Sequence, residues 1–156
     1  MTPAVFEGKY ELDSLAAFLK LSRRYFEETG DAACFADDVS SLGGAAAPSS
    51  SNVANSSYSW RAAVALALDT IDAQRAGSAQ EANAPGGPPY LFQRDTTVAT
   101  DTMMQSGNGV PAADDVGLVK SNFRPSDDAT TLPFLVPANA MAVRRAVRST
   151  DHGRYV

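Results

Sequence analysis

Between Glu11 and Thr29 the apolar residues recur at helical spacing over an unusually wide arc, and that width constrains the fold more than any other feature of the chain. Leu12, Leu15, Ala16, Leu19 and Phe26 share one helical face, and Phe18, Leu21 and Tyr25 broaden it. A surface helix needs only a stripe, so this pattern predicts a helix buried between layers of other helices. Gly30 supplies the left-handed stop that commonly ends a helix. A second amphipathic helix is expected over roughly Ser59 to Ala76. Trp60, Val64, Ala67, Leu68 and Ile71 form its stripe, and Gly77 follows it. A third begins around Pro137, with Met141, Ala142 and Val143 followed by Ala146 and Val147. No alternating run reads as a strand, so the expected fold class is mostly α.

The connections are long. Gly43 to Ser57 lacks apolar periodicity and is full of breakers, and Ser78 to Pro89 closes on a Pro-Gly-Gly-Pro-Pro run. Residues 43–57 and 78–89 are therefore expected to be flexible loops or insertions within one domain spanning 1–156. Tyr90 to Asp128 mixes polar, glycine and aromatic residues without either period. Long irregular segments of this kind are functional or disordered. Tyr90, Phe92, Met103, Met104, Leu118, Val119 and Phe123 supply enough apolar anchors to favour order.

Composition removes several classes of function. The chain has 156 residues, 44% hydrophobic and 20% charged, as in an ordinary soluble domain. Its formal charge of −5, with the acids dispersed, opposes a nucleic-acid partner, which requires clustered Lys and Arg. Arg144, Arg145 and Arg148 form the one basic cluster and read as a solvated helix face. No run approaches the roughly 18 apolar residues of a membrane span. Cys34 is the only cysteine, so no intrachain disulfide forms and the compartment, secretory or not, stays open. His152 is the sole histidine and sits in a polar tail, which disfavours a histidine-based metal site or triad. Gly107-Asn108-Gly109 is a turn without the Lys-Ser/Thr of a phosphate loop. No cofactor and no metal are expected.

Carboxylates remain. Sugar hydrolysis needs one protonated acid on the leaving oxygen and a second carboxylate acting across the ring. Arg124-Pro125-Ser126-Asp127-Asp128 is the densest candidate: Pro125 fixes a turn, and repulsion between adjacent acids raises one pKa. Its plainer reading is a Ser-Asp-Asp helix cap with a surface ion pair. Glu7, Glu11 and Asp13, around Lys9-Tyr10, form a second cluster. They read either as an acidic first turn or as sugar-binding groups beside the Tyr10 ring.

Two segments resemble glycoside hydrolase family 125. Phe6 to Asp31 is similar to the family's K-Y-E-L-D-S-L helix and trailing T-G-D. Tyr90 to Val143 carries G-L-V-x-S-x-F-R-P-S-D-D-A and ends in P-A-N-A-M-A. Together they cover about half of the chain, and the intervening loops are similar in style to those of fungal members. The resemblance implies an incomplete part of an (α/α) six-hairpin toroid and a metal-independent, inverting exo-α-1,6-mannosidase. It implies a general-acid aspartate at Asp127 or Asp128, with Arg124 and Ser126 shaping the sugar site and Tyr10, Glu11 and Asp13 lining the same pocket. The expected partners are α-mannoside oligosaccharides or N-glycan-derived mannans, with no nucleic acid and no membrane segment.

Two family features have no counterpart here: an early W-L-R-D-S type motif and a later glutamate, the catalytic base, in an E-x-D-G segment. Only three clear helices are found where a toroid has about twelve. The expectation is a middle fragment, inactive by itself, of a larger catalytic domain. Two alternatives fit the same residues. One is a helical-toroid glycosidase of other linkage specificity; the other is a catalytically inactive carbohydrate-binding or scaffold relative.

Overall fold

The computed structural model of the chain describes residues 8–36 and 59–150, with side chains in the last helix through Val143. Five helices follow in order: α1 (Leu12–Thr29), α2 (Ala33–Ala36), α3 (Trp60–Ala73), α4 (Ser78–Asn83) and α5 (Val136–Thr150). A 3-10 turn at Ala99–Asp101 stands in the long connection between α4 and α5. No strand runs through the described residues, so the mostly helical class expected from periodicity is found. The stretch 43–57 lies outside them, as do Glu7, His152 and the side chains of Arg144, Arg145 and Arg148.

Helix α1 is the hub, packing against α5 and α3. Leu12 and Ala16 are fully buried and meet Ala138 and Ala142 of α5, with Tyr10 and Val119 completing the cluster. Burying a leucine side chain this completely is worth about 1.5–3 kcal/mol. At its far end α1 stops where expected: Gly30 adopts φ 64° and its N–H reaches the Phe26 carbonyl at 2.8 Å. The wide apolar face is only partly used, however. Leu21 is 60% and Tyr25 39% exposed, because α3 and α5 cover the line through Leu12, Ala16 and Ser22 rather than the broadened flank.

The contact with α3 is aromatic with a polar pin. Trp60 Nε1 donates to Ser22 Oγ at 2.8 Å, while Ser22 donates back to the Phe18 carbonyl at 2.9 Å. Phe18 and Trp60 stack at 5.2 Å, and Phe35 meets Trp60 edge-on at 6.4 Å. Ser59 caps α3 by accepting from the Ala62 N–H at 3.1 Å.

The start of α1 is capped from far along the chain. Glu11 occupies the N-cap position, yet its side chain makes no bond to the helix amides. Instead the Leu12 N–H donates to Ser121 Oγ at 3.3 Å, and Ser121 donates to the Phe123 carbonyl at 2.9 Å. The Phe123 N–H in turn donates to the Tyr10 carbonyl at 3.2 Å. Tyr90 completes the clamp: its hydroxyl accepts from the Tyr10 N–H at 2.9 Å and donates to the Gly8 carbonyl at 2.6 Å. The irregular segment around Val119–Phe123 is thus ordered, and it fixes where α1 begins.

Two further devices hold that segment. Buried Asn139 on α5 mimics a strand neighbour: its amide donates to the Val119 carbonyl at 2.9 Å, and its oxygen accepts from the Val119 N–H at 2.8 Å. Lys120 is buried and ion-paired with Glu81 of α4. The first part of 78–89, read as loose, is therefore helical. Ser78 and Ala112 exchange reciprocal hydrogen bonds at 3.0 and 2.9 Å, which anchor a six-residue helix too short to show a period. Of the apolar anchors in the irregular stretch, Phe92, Met103, Val119 and Phe123 are buried, whereas Met104 is 49% exposed.

Replacing Asn139 with Ala leaves two buried backbone groups unmatched and is expected to cost about 2–4 kcal/mol in urea unfolding. Lys120→Met strands the Glu81 carboxylate and is expected to cost about 3–5 kcal/mol. Combining it with Glu81→Leu restores most of that loss, since an apolar pair replaces a buried ionic one at little net cost.

Candidate active site

The Arg124–Asp128 motif is a hairpin tip, not the start of a helix. Phe123 and Ala129 form an isolated antiparallel bridge. The Arg124 N–H reaches the Asp128 carbonyl at 2.9 Å, and the Thr130 N–H reaches the Asn122 carbonyl at 3.0 Å. The Asp127 N–H closes the turn on the Arg124 carbonyl at 2.8 Å. Pro125, with its fixed φ and missing N–H, suits the corner. The helix-cap reading of Ser-Asp-Asp is thereby corrected, because Pro, Ser and Asp serve turns and caps alike.

Asp127 takes the left-handed residue of this three-residue loop, with φ 63°. That position ordinarily belongs to glycine. An L-residue there costs about 1–2 kcal/mol, with Asp among the more tolerant side chains. A carboxyl retained at such a point is a hint of function.

The two adjacent acids have divergent surroundings. Asp128 Oδ2 accepts from the Ser126 hydroxyl at 2.8 Å and pairs with Arg124 at 3.1 Å. Its Oδ1 accepts from the Thr100 hydroxyl at 3.1 Å. The hydrogen bonds from Ser126 and Thr100, with the charges of Arg124 and Lys9, hold its carboxyl below the usual carboxylate range. Arg124 and Ser126 therefore grip Asp128 rather than standing free. Asp127 takes no part in that set and is exposed; its charge is one of those acting on Glu11.

Glu11 stands at the start of α1, where the cap from Ser121 leaves its side chain available. Its Oε2 accepts from the Ser14 hydroxyl at 2.7 Å, while Oε1 is buried without a hydrogen-bond partner among the described residues. Burial raises its pKa, and the like charges of Asp13 and Asp127 and the side-chain hydrogen bond with Asp127 raise it further; only Ser14 opposes them. The α1 dipole also favours the carboxylate, by about 0.3–1 kcal/mol at a helix N-terminus.

Asp13 Oδ1 and the Tyr10 hydroxyl are likewise buried without partners among the described residues. Burial pushes the Tyr10 phenol upward. Native structures leave few such atoms, and here three fall within four consecutive residues. The sequence-derived candidates thus separate into two groups. Glu11, Asp13 and Asp127 come together electrostatically, whereas Arg124, Ser126 and Asp128 form an ion-paired unit.

Sequence reasoning missed the residues that support this arrangement. Thr100 reaches Asp128 from the 3-10 turn. Lys9 and Arg94 bind Asp101 at 3.2 and 3.0 Å, holding its carboxyl low chiefly through hydrogen bonds from Arg94 and Lys9. Lys9 also lies 5.4 Å from the Phe123 ring centroid, and Phe123 meets Phe92 edge-on at 5.1 Å. These partners come from segments far apart in sequence, where no local signal marks them. Among the described residues no three His, Cys, Asp or Glu groups are arranged to hold a metal ion. No helix among them is long and apolar enough to cross a membrane.

The strain at residue 127 is measurable. Asp127→Gly is expected to leave stability unchanged or raise it by up to about 1 kcal/mol in thermal unfolding, whereas Asp127→Val is expected to lower it.

With this geometry in hand, the chain was compared with known proteins. The family model for metal-independent α-mannosidases (GH125) matches residues 1–152. The meiotically up-regulated gene 157 protein of Schizosaccharomyces pombe is 38% identical over 149 residues, a match covering 92% of this chain and 25% of that protein. The chain spans about a quarter of the length of that relative. A match over nearly every residue, including the Tyr10–Leu15 helix start and the Arg124–Asp128 hairpin, means that this chain belongs to the metal-independent α-mannosidase family, GH125.

Proposed function

We propose that this chain supplies the general-acid side of an active site that hydrolyses terminal α-1,6-linked mannose with inversion, within a helical toroid. The acid is Asp127. The observation that carries this assignment is the contrast between neighbours. Asp128 is held ionised by Ser126, Thr100 and Arg124, while Asp127 stands exposed at a left-handed hairpin position outside that ion-paired set. An anion tied into an ion pair is a poor proton donor.

The remaining residues take supporting roles. Asp128 anchors the hairpin through Arg124 and Ser126 and so aims Asp127. The unmatched Tyr10 hydroxyl and Asp13 Oδ1 suit hydroxyl groups of a pyranose. Glu11 is not assigned as the opposing base, because it lies outside the later glutamate segment in which the family resemblance places that residue. The base therefore comes from elsewhere. Natural substrates on this reading are α-mannoside oligosaccharides such as N-glycan-derived mannans.

The test follows mannose release from α-1,6-mannobiose by NMR, using the protein expressed from its full reading frame. Initial release of β-mannose is expected. Asp127→Asn is expected to lower kcat by about 10²–10⁴-fold, the usual contribution of a general acid, and Asp128→Asn by clearly less. The reverse order would move the acid to Asp128. A folded protein releasing no mannose would favour another linkage or a carbohydrate-binding role.

A further inference from the structure

We propose that Thr100 is a positioning residue for the acid hairpin: its hydroxyl and its carbonyl together fix the returning limb, and so set where Asp127 meets the leaving oxygen. This rests on Asp127 being the acid, and it gives a task to a residue that lies outside the hairpin, on the 3-10 turn.

Both limbs of the hairpin are held from outside. On the outgoing limb the Phe123 N–H donates to the Tyr10 carbonyl at 3.2 Å. On the returning limb the Ala129 N–H donates to the Thr100 carbonyl at 2.7 Å, and the Thr100 hydroxyl donates to Asp128 Oδ1 at 3.1 Å. Ser126 and Arg124 hold the other oxygen, Oδ2, at 2.8 and 3.1 Å, but both belong to the hairpin and move with it. Bonds inside the loop fix its shape; bonds from the 3-10 turn fix its place.

Thr100 can serve as an anchor because its own turn is braced. Asp101 takes Lys9 Nζ at 3.2 Å and Arg94 Nη1 at 3.0 Å. The Lys9 ammonium lies 5.4 Å from the Phe123 ring centroid, and the Arg94 guanidinium 5.5 Å from that of Phe92. Those two rings meet edge-on at 5.1 Å. The Asp101 N–H closes the turn on the Val98 carbonyl at 3.0 Å, and the Thr102 hydroxyl accepts from the Arg94 N–H at 3.1 Å. Phe123 is the fully buried root of the hairpin, and Ala129 is its buried bridge partner. Turn and hairpin are thus seated on one aromatic pair, and the Thr100 hydroxyl ties the turn to the acidic tip. Placement of this kind is catalytic currency, since a displacement of about 1 Å costs on the order of 10²-fold in rate. The left-handed backbone of Asp127, φ 63°, also persists only where its surroundings over-determine it.

The experiment uses the protein expressed from its full reading frame, with α-1,6-mannobiose and with α-mannosyl fluoride, whose leaving group needs no proton. Wild type is compared with Thr100→Val, Thr100→Ser, Asp127→Asn and Asp128→Ala. Valine keeps the branched shape and the backbone carbonyl and removes the hydroxyl. Thr100→Val is expected to lower kcat on mannobiose by about 10-fold with KM within about twofold of wild type. Fluoride turnover is expected to stay within about threefold, and Thr100→Ser, which keeps the hydroxyl, to return most of the lost kcat. In an Asp128→Ala background the acceptor is gone, so adding Thr100→Val is expected to lower kcat by less than about twofold further. An unchanged kcat in Thr100→Val, equal losses on both substrates, no recovery in Thr100→Ser, or an undiminished loss in the Asp128→Ala background would overturn the proposal. A selective mannobiose loss in Asp127→Asn beside any of those results would leave the acid in place and remove this inference alone. Full mannobiose turnover by Asp127→Asn would instead remove the acid assignment, and this inference with it.

Discussion

The bond from the Leu12 amide to Ser121 Oγ is the contact on which the rest of the structure depends. A helix start has unmatched N–H groups that something must accept from. In most helices the N-cap side chain does so; here a serine 109 residues away does. Because Ser121 caps from outside, Glu11 is released from capping, and its carboxyl accepts from Ser14 instead. The same serine holds the Phe123 carbonyl, and Phe123 is the root of that hairpin. One buried hydroxyl thus registers the two halves of the acidic site against each other.

The electrostatics follow from that registration. Three cations lie near the hairpin, and two acids, Asp101 and Asp128, engage them. Glu11 and Asp13 keep buried oxygens without a hydrogen-bond partner among the described residues. Surface ion pairs such as Arg124–Asp128 contribute about 0–1 kcal/mol to stability. Their importance here is geometric, since they hold one acid of the Asp-Asp pair away from the other's surroundings.

Much of the architecture was legible in the chain. Helices α1, α3 and α5 follow from periodicity, with Gly30, Ser59 and Pro137 marking boundaries through conformational preferences that are local. The apolar anchors Phe92, Val119 and Phe123 correctly indicated order in a stretch without period. What stayed hidden was non-local. The reciprocal Ser78–Ala112 bonds that allow a six-residue helix have no sequence signature, and neither do the roles of Thr100, Ser121 or Asn139. The hairpin was missed because Arg-Pro-Ser-Asp-Asp fits a cap as well as a turn. The pairing of Asn122 with Thr130 and Phe123 with Ala129 decides between them, and the short Ala-Thr-Thr-Leu-Pro run after the acids carries no helical period.

The long reach of the Ser121 cap also has a consequence for biosynthesis. A chain is made from its amino end at roughly 5–20 residues per second, so α1 precedes the residue that fixes its first turn by roughly 5–20 s. Over that interval Leu12 and Ala16 lack Val119, Ala138 and Ala142, the groups that cover them in the finished fold. The hub of the structure thus emerges well before the groups that cover it, and its apolar face needs shielding in the meantime.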